Sequence, residues 1–114
     1  MKTLTIKSPW AQYIFRSGKD IENRSWKTNY RGPMLIHTSN NPKSSESGMI
    51  MGIVELFDCQ PPGNLLTSGN KWAINGFYHW IFKNPREFKI KIPVKGKLNL
   101  WDYDFSPSFL KELL

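Results

Sequence analysis

Cysteine is nearly absent from this 114-residue chain: Cys59 stands alone, so no internal disulfide can form. With only two histidines, no group of residues has the spacing of a zinc site, and neither a metal nor a cofactor is expected. Long apolar runs are missing as well. No window approaches the roughly 18 consecutive apolar residues of a membrane span, and residues 1–8 lack the apolar core of a signal peptide. The expected location is therefore cytoplasmic, with no membrane partner. No glycine-rich phosphate loop and no Gly-x-Ser-x-Gly elbow is present, and Cys59, next to Asp58, has no basic neighbour to favour a thiolate. Covalent catalysis through serine or cysteine has no support. Acidic residues are also scarce, nine against sixteen Lys and Arg, which sets the formal charge at +7.

What is present is apolar enough to fold and basic enough to attract polyanions. Hydrophobic residues make up 39% of the chain, which suffices for one core, and the length supports one domain over residues 1–114. A monomer is expected. Fifteen of the sixteen basic residues fall in residues 1–101 with six acids, leaving one lysine and three acids in residues 102–114. The body is thus +9 and the tail −2, and such a body draws phosphate polymers, acidic proteins or anionic membranes alike.

Along the chain, residues 3–7 read as a strand. Ser8-Pro9 reads as a helix start, and Trp10, Tyr13, Ile14 and Ser17 follow at helical spacing up to Gly18. Residues 21–26 look extended, Tyr30–Pro33 turns, and Met34–Ser39 reads as a buried strand. Residues 40–48 and 60–71 are loops. Met49–Phe57 is apolar at both parities, as a central strand covered on both faces would be. Two runs, 77–82 and 87–94, are separated by Lys83-Asn-Pro-Arg86, which reads as a hairpin, and residues 98–101 supply a last short strand. The fold class expected is α+β, mainly β: a partly closed barrel of about six strands with one or two short flanking helices.

Three clusters could carry chemistry. In an extended segment Asp20, Glu22, Arg24 and Trp26 share one face. A carboxylate beside a guanidinium with an indole at the end can hold a base or nucleoside; a Glu22–Arg24 surface ion pair with Trp26 covering the barrel end has the same sequence. Lys19 has the opposite parity, but a bend after Gly18 could bring it to the same cleft, where a buried lysine beside a carboxylate can serve as base or electrophile. His37 and His79 read as hydrogen-bonded strand residues, His37 being the better site candidate because it follows the Arg31-Gly32 turn. The third cluster is the basic hairpin with Lys89, Lys91, Lys95 and Lys97. It can follow a phosphate backbone, or it can be a solvated outer strand protected by lysines.

The order of these pieces resembles the ASCH domain, the activating-signal-cointegrator homology family of the PUA-like superfamily. The resemblance is carried by Ser8-Pro-Trp-Ala11, Gly18-Lys-Asp-Ile-Glu-Asn-Arg-Ser-Trp26, Tyr30-Arg-Gly-Pro-Met-Leu-Ile-His-Thr-Ser39, Met51–Cys59, and Pro93-Val-Lys-Gly96 with Trp101. It implies a PUA-like barrel that binds RNA, another nucleic acid or a nucleoside-like small molecule. The implied cleft is lined by Lys19, Glu22, Arg24 and Trp26, with Arg31, His37 and Ser39 at its rim or floor. It also implies an alternative. Some small bacterial relatives are amidohydrolases on N4-acetylcytidine, and others are credited with ribonuclease activity. In the amidohydrolase motif the catalytic lysine corresponds to Lys19, while Glu22 stands at a threonine position; Lys19 and Glu22 would be the catalytic pair.

Overall fold

Strands whose apolar residues occupy both parities must be covered on both faces, and two stretches of this chain meet that condition. In the computed structural model, which describes residues 1–114, they are β3 (Gly32–Thr38) and β4 (Met49–Gln60), and they sit at the middle of one six-stranded sheet. The other strands are β1 (Lys2–Ile6), β2 (Ile21–Arg24), β5 (Tyr78–Pro93) and β6 (Leu100–Asp102), in the spatial order β2-β5-β4-β3-β1-β6. β1 and β3 run parallel and every other pairing is antiparallel. Helix α1 (Trp10–Arg16) provides the crossover that a parallel β1–β3 pairing needs.

Leu4, Ile6, Met34, Ile36, Val54, Leu56, Trp80 and Phe82 form the core on one face, with Ala11 and Ile14 of α1 packed into it. On the other face Leu35, Ile50, Ile53 and Phe88 are covered by Phe105 and by Leu113 of a short C-terminal helix, α2 (Leu110–Leu113). The sheet curls into a half-barrel of the expected PUA-like kind. Arg24, on the edge strand β2, donates from Nη2 to the carbonyl of Thr5 on β1 at 2.7 Å, although three strands lie between them in the sheet. A charge-assisted bond of this sort contributes roughly 1.5–3 kcal/mol, and here it links two strands that share no ladder.

Three local expectations are corrected. Lys83–Arg86 is not a hairpin: β5 is one continuous 16-residue strand. Between the pairs Glu55–Lys83 and Ile53–Arg86, β5 carries one more residue than β4, a bulge that absorbs Asn84 at φ 52° and ties its side chain to Glu55 at 3.1 Å. The alternation of residues 87–94, which predicts one buried face of Phe88, Ile90 and Ile92 and one charged face of Glu87, Lys89 and Lys91, is broken by a second register shift between Ile50 and Gly52, and Ile90 is 59% exposed while Phe88 is buried. Ser8 does not cap α1; its hydroxyl accepts from Gln12 at 3.0 Å and Pro9 holds the cap position. No helix is long and apolar enough to cross a membrane.

Candidate nucleic-acid interface

Helix α1 stops because Gly18 adopts φ 71°, a conformation that favours glycine, and the Lys19 N–H then bonds back to Tyr13 O at 3.1 Å. This reversal turns the Lys19 side chain inward, where it is 4% exposed. Its ammonium donates to the Ile21 carbonyl and to Glu22 Oε1, the latter at 3.1 Å. Glu22 Oε2 lies 3.1 Å from Arg24 Nε. One buried carboxylate is therefore held between two basic groups, and each supports the burial of the next.

These three residues form the floor of a cavity of about 680 Å³. Trp10 of α1 and Trp72 and Ile74 of the loop before β5 form one side, Lys97, Leu98 and Asn99 another, and Thr5, Lys7, Ser39 and Lys71 complete the rim. Lys7, Lys19, Arg24, Lys71 and Lys97 make five basic side chains against the single carboxylate of Glu22. Trp72 leans on Tyr13 with ring centres 5.9 Å apart, and the Lys71 ammonium sits 4.9 Å from its ring.

The loop that brings Trp72 here is held by side chains at its base. Asn23 donates from Nδ2 to Trp72 O and accepts at Oδ1 from the Ile74 N–H, both at 2.9 Å. Asn70 Oδ1 accepts from the Trp72 N–H at 2.8 Å while its amide donates to Asp20 at 3.1 Å. His79, buried in β5, spans the same loop, with Thr67 Oγ1 2.6 Å from Nδ1 and the Ile74 carbonyl 2.8 Å from Nε2. Its role is to tie the loop to the sheet.

The opposite side of the cavity rests on His37. Val94 O lies 2.6 Å from Nε2, which fixes that nitrogen as the donor, so Nδ1 accepts from Thr5 Oγ1 at 3.2 Å, and Thr5 in turn accepts from Trp101 Nε1 at 3.1 Å. Burial holds the imidazole pKa below its ordinary 6.5, only partly offset by the bond to Val94. Gly96 passes directly over this group. A Cβ there would stand 2.7 Å from His37 Cε1 and 2.9 Å from Thr5 Oγ1, so only glycine lets the Lys97–Asn99 segment approach the cavity.

The structure brings Lys19, Glu22, Arg24 and Ser39 to one cavity and leaves Trp26, Arg31 and His37 out of its lining. Trp26 follows the end of β2, loses the strand parity, and packs edge-on against Trp80 at 4.8 Å, with its carbonyl accepting from the Trp80 indole. Arg31 pairs with Asp58 at 3.2 Å. Ser39 bends back to Asn41, donating to its carbonyl and accepting from its N–H. Among the lysines, Lys97 joins the rim, Lys89 and Lys95 are exposed, and Lys91 is bound to Glu87 at 2.8 Å. Glu87 also receives Arg16, which chelates Glu46 as well; the bonds from Arg16 and then Lys91 pull the Glu87 pKa from 4.5 down to about 2. Lys91 is thus a framework residue. Sequence reasoning missed Trp72, Lys71 and Asn23, and the one available signal was an isolated tryptophan closing a Pro/Gly/Ser/Asn-rich loop. No three His, Cys, Asp or Glu side chains converge as metal ligands.

Comparison with known proteins agrees with this architecture. Activating signal cointegrator 1 from Homo sapiens is 28% identical over 127 aligned positions, covering 89% of this chain and 22% of that protein. The Mus musculus protein of the same name matches to the same extent, so the chain spans about a fifth of the length of these relatives. The ASCH domain model matches residues 4–92, from β1 almost to the end of β5 and with the whole Lys19–Arg24 floor inside it. The chain belongs to the ASCH domain family.

Proposed function

We propose that this domain binds single-stranded RNA, or a nucleotide-like piece of it, in the cavity between β2, the Trp72 loop and the Lys97–Asn99 segment, acting as a cytoplasmic monomer. The observation that carries the reading is the combination, in one concavity, of a buried Lys19–Glu22–Arg24 floor, two tryptophans and an excess of basic side chains. Aromatic faces take bases without regard to sequence, and fixed polar groups beneath them add selectivity. Exposed Lys89 and Lys95 add to the field that attracts the polyanion. Fluorescence anisotropy with a labelled single-stranded RNA at low salt tests this. Trp72→Ala is expected to weaken binding by roughly five- to over a hundredfold, the range of one lost base stack. Equal affinity of the wild-type and Trp72→Ala proteins would contradict it.

A second reading has its own support. A buried lysine bonded to a carboxylate at a cavity floor is also the arrangement of a general acid–base pair, so hydrolysis of a modified nucleoside or of RNA deserves an assay. Turnover of N4-acetylcytidine or of single-stranded RNA, lost in Lys19→Ala, would establish it; no turnover with either substrate would remove it.

A further inference from the structure

Hydrogen-bonding capacity that the cavity floor has not spent internally identifies the group it takes. Both Glu22 oxygens are engaged by Lys19 and Arg24, and the side chain is 11% exposed. Ser39 has turned both its donor and its acceptor toward Asn41, and Asn23 uses both ends of its amide on the Trp72 loop. What remains is chiefly donors. Lys19 has three N–H groups and two protein acceptors; Arg24 spends Nη2 on Thr5, its buried Nε lies 3.1 Å from Glu22 Oε2 without forming a hydrogen bond, and Nη1 has no protein partner. Unspent donors under a net positive charge suit an acceptor-only, anionic group better than an exocyclic amine, for which the floor has the single carboxylate of Glu22, already held between two cations. Around the mouth, Lys7, Lys71 and Lys97 form no ion pair with any carboxylate of the chain, in contrast to Lys2, Lys19 and Lys91.

Charge then separates an internal linkage from a terminal phosphate. A phosphodiester carries one negative charge, whereas a terminal monoester carries about −1.5 to −2 near neutral pH and presents three strong acceptor oxygens. The floor keeps one positive charge after Glu22 is subtracted from Lys19 and Arg24, and the three rim lysines add to it. We infer that the cavity is a receptor for a phosphorylated nucleotide end: the phosphate on Lys19 and Arg24, the attached base toward Trp72. This deepens the RNA-binding reading and rests on it. The same chemistry is presented by a free mononucleotide and by the phosphorylated end of a chain.

The test is isothermal titration of the intact protein with a set of defined probes: a tetranucleotide RNA bearing a 5′-phosphate, a 3′-phosphate or hydroxyls at both ends, then cytidine, adenosine and their 5′-monophosphates. One phosphorylated tetranucleotide is expected to bind at least tenfold more tightly than the hydroxyl-ended one, and the monophosphates more tightly than the nucleosides. A mononucleotide equal to the tetranucleotide identifies the free nucleotide as the ligand, and a tetranucleotide preference identifies the chain end. The end preference should fall at least threefold in Lys71→Ala, which alters an exposed side chain and leaves the fold intact, and further in Arg24→Ala. Equal affinity for all ends, with Trp72→Ala still weakening binding, overturns the phosphate assignment and leaves the RNA-binding function standing. Absence of binding to every probe and to longer RNA overturns both.

Discussion

Replacing Gly96 with alanine probes the link between the fold and the cavity. The added Cβ would lie 2.7 Å from His37 Cε1, 2.8 Å from Nδ1 and 2.9 Å from Thr5 Oγ1, each nearer than ordinary packing permits. His37 cannot yield cheaply: it is 1% exposed, fixed at one nitrogen by Val94 O and at the other by Thr5, and its ring meets Trp101 edge-on at 5.6 Å. The backbone at 95–97 must therefore move outward, or the Thr5–His37–Val94 chain must break. Overpacking of this kind costs about 1–3 kcal/mol, and loss of one buried hydrogen bond lies in the same range. Urea unfolding followed by tryptophan fluorescence should show a destabilisation of about 1–3 kcal/mol with little change in the slope. RNA affinity measured at a temperature where the variant is fully folded should also fall, because Lys97, Leu98 and Asn99 are carried away from the cavity. A double-mutant cycle with His37→Ala, which vacates the space, should recover at least about 1 kcal/mol of the Gly96→Ala cost. A Gly96→Ala protein within 0.5 kcal/mol of wild type, or strict additivity with His37→Ala, would refute the close approach and the role assigned to it.

Other perturbations follow from the same geometry. Asn23→Ala removes both bonds to the Trp72 loop, so RNA affinity should drop while thermal stability falls by only about 1–2 kcal/mol; equal binding would show that the loop is held by other means. Lys97→Ala should lower the slope of log affinity against log salt by about 0.7, the value for one released counterion on a single strand. Lys91→Ala should leave that slope unchanged and cost stability through Glu87 instead. The pH profile of stability should have two descending windows. His37 is held neutral by burial, so its contribution is complete above pH 6.5 and is lost as pH falls through 6.5 toward its lower folded value. Glu87 and Glu46 are held ionised chiefly by Arg16, so theirs is complete above 4.5 and is lost as pH falls from there, toward about 2 for Glu87. His37→Gln should flatten the upper window alone.

The fold was legible where pattern and structure share a cause. The both-parity apolar run at 49–57 identified a central strand, the run at 34–39 a buried one, and Gly18 the end of α1 and the bend that turns Lys19 inward. Lys83–Arg86 misled because Asn-Pro has the local chemistry of a turn, whereas a bulge opposite β4 absorbs it within a strand longer than local signals suggest. Parity placed Glu22 and Arg24 together but carried Trp26 along with them, since nothing in the sequence marks the end of β2 at Arg24. The aromatic side of the cavity was beyond reach for a different reason. Trp72 is placed by Asn23, 49 residues away, and by loop hydrogen bonds that have no periodicity. Arg24 was expected either to face a ligand or to pair with Glu22, yet its bond to Thr5 also links β2 to β1, a contact visible only once the sheet has curled.

The five tryptophans offer the most direct examination of where the ligand goes, because two line the cavity and the others do not. In a titration of isotope-labelled protein with a short single-stranded RNA, the indole N–H signals of Trp72 and Trp10 should shift together with the amides of Lys71–Ile74 and Lys97–Asn99. Those of Trp26 and Trp80, packed against each other in the core, should stay in place. Shifts confined instead to Lys83–Lys89 on β5, or to Arg31 and its surroundings, would contradict the cavity as the binding site.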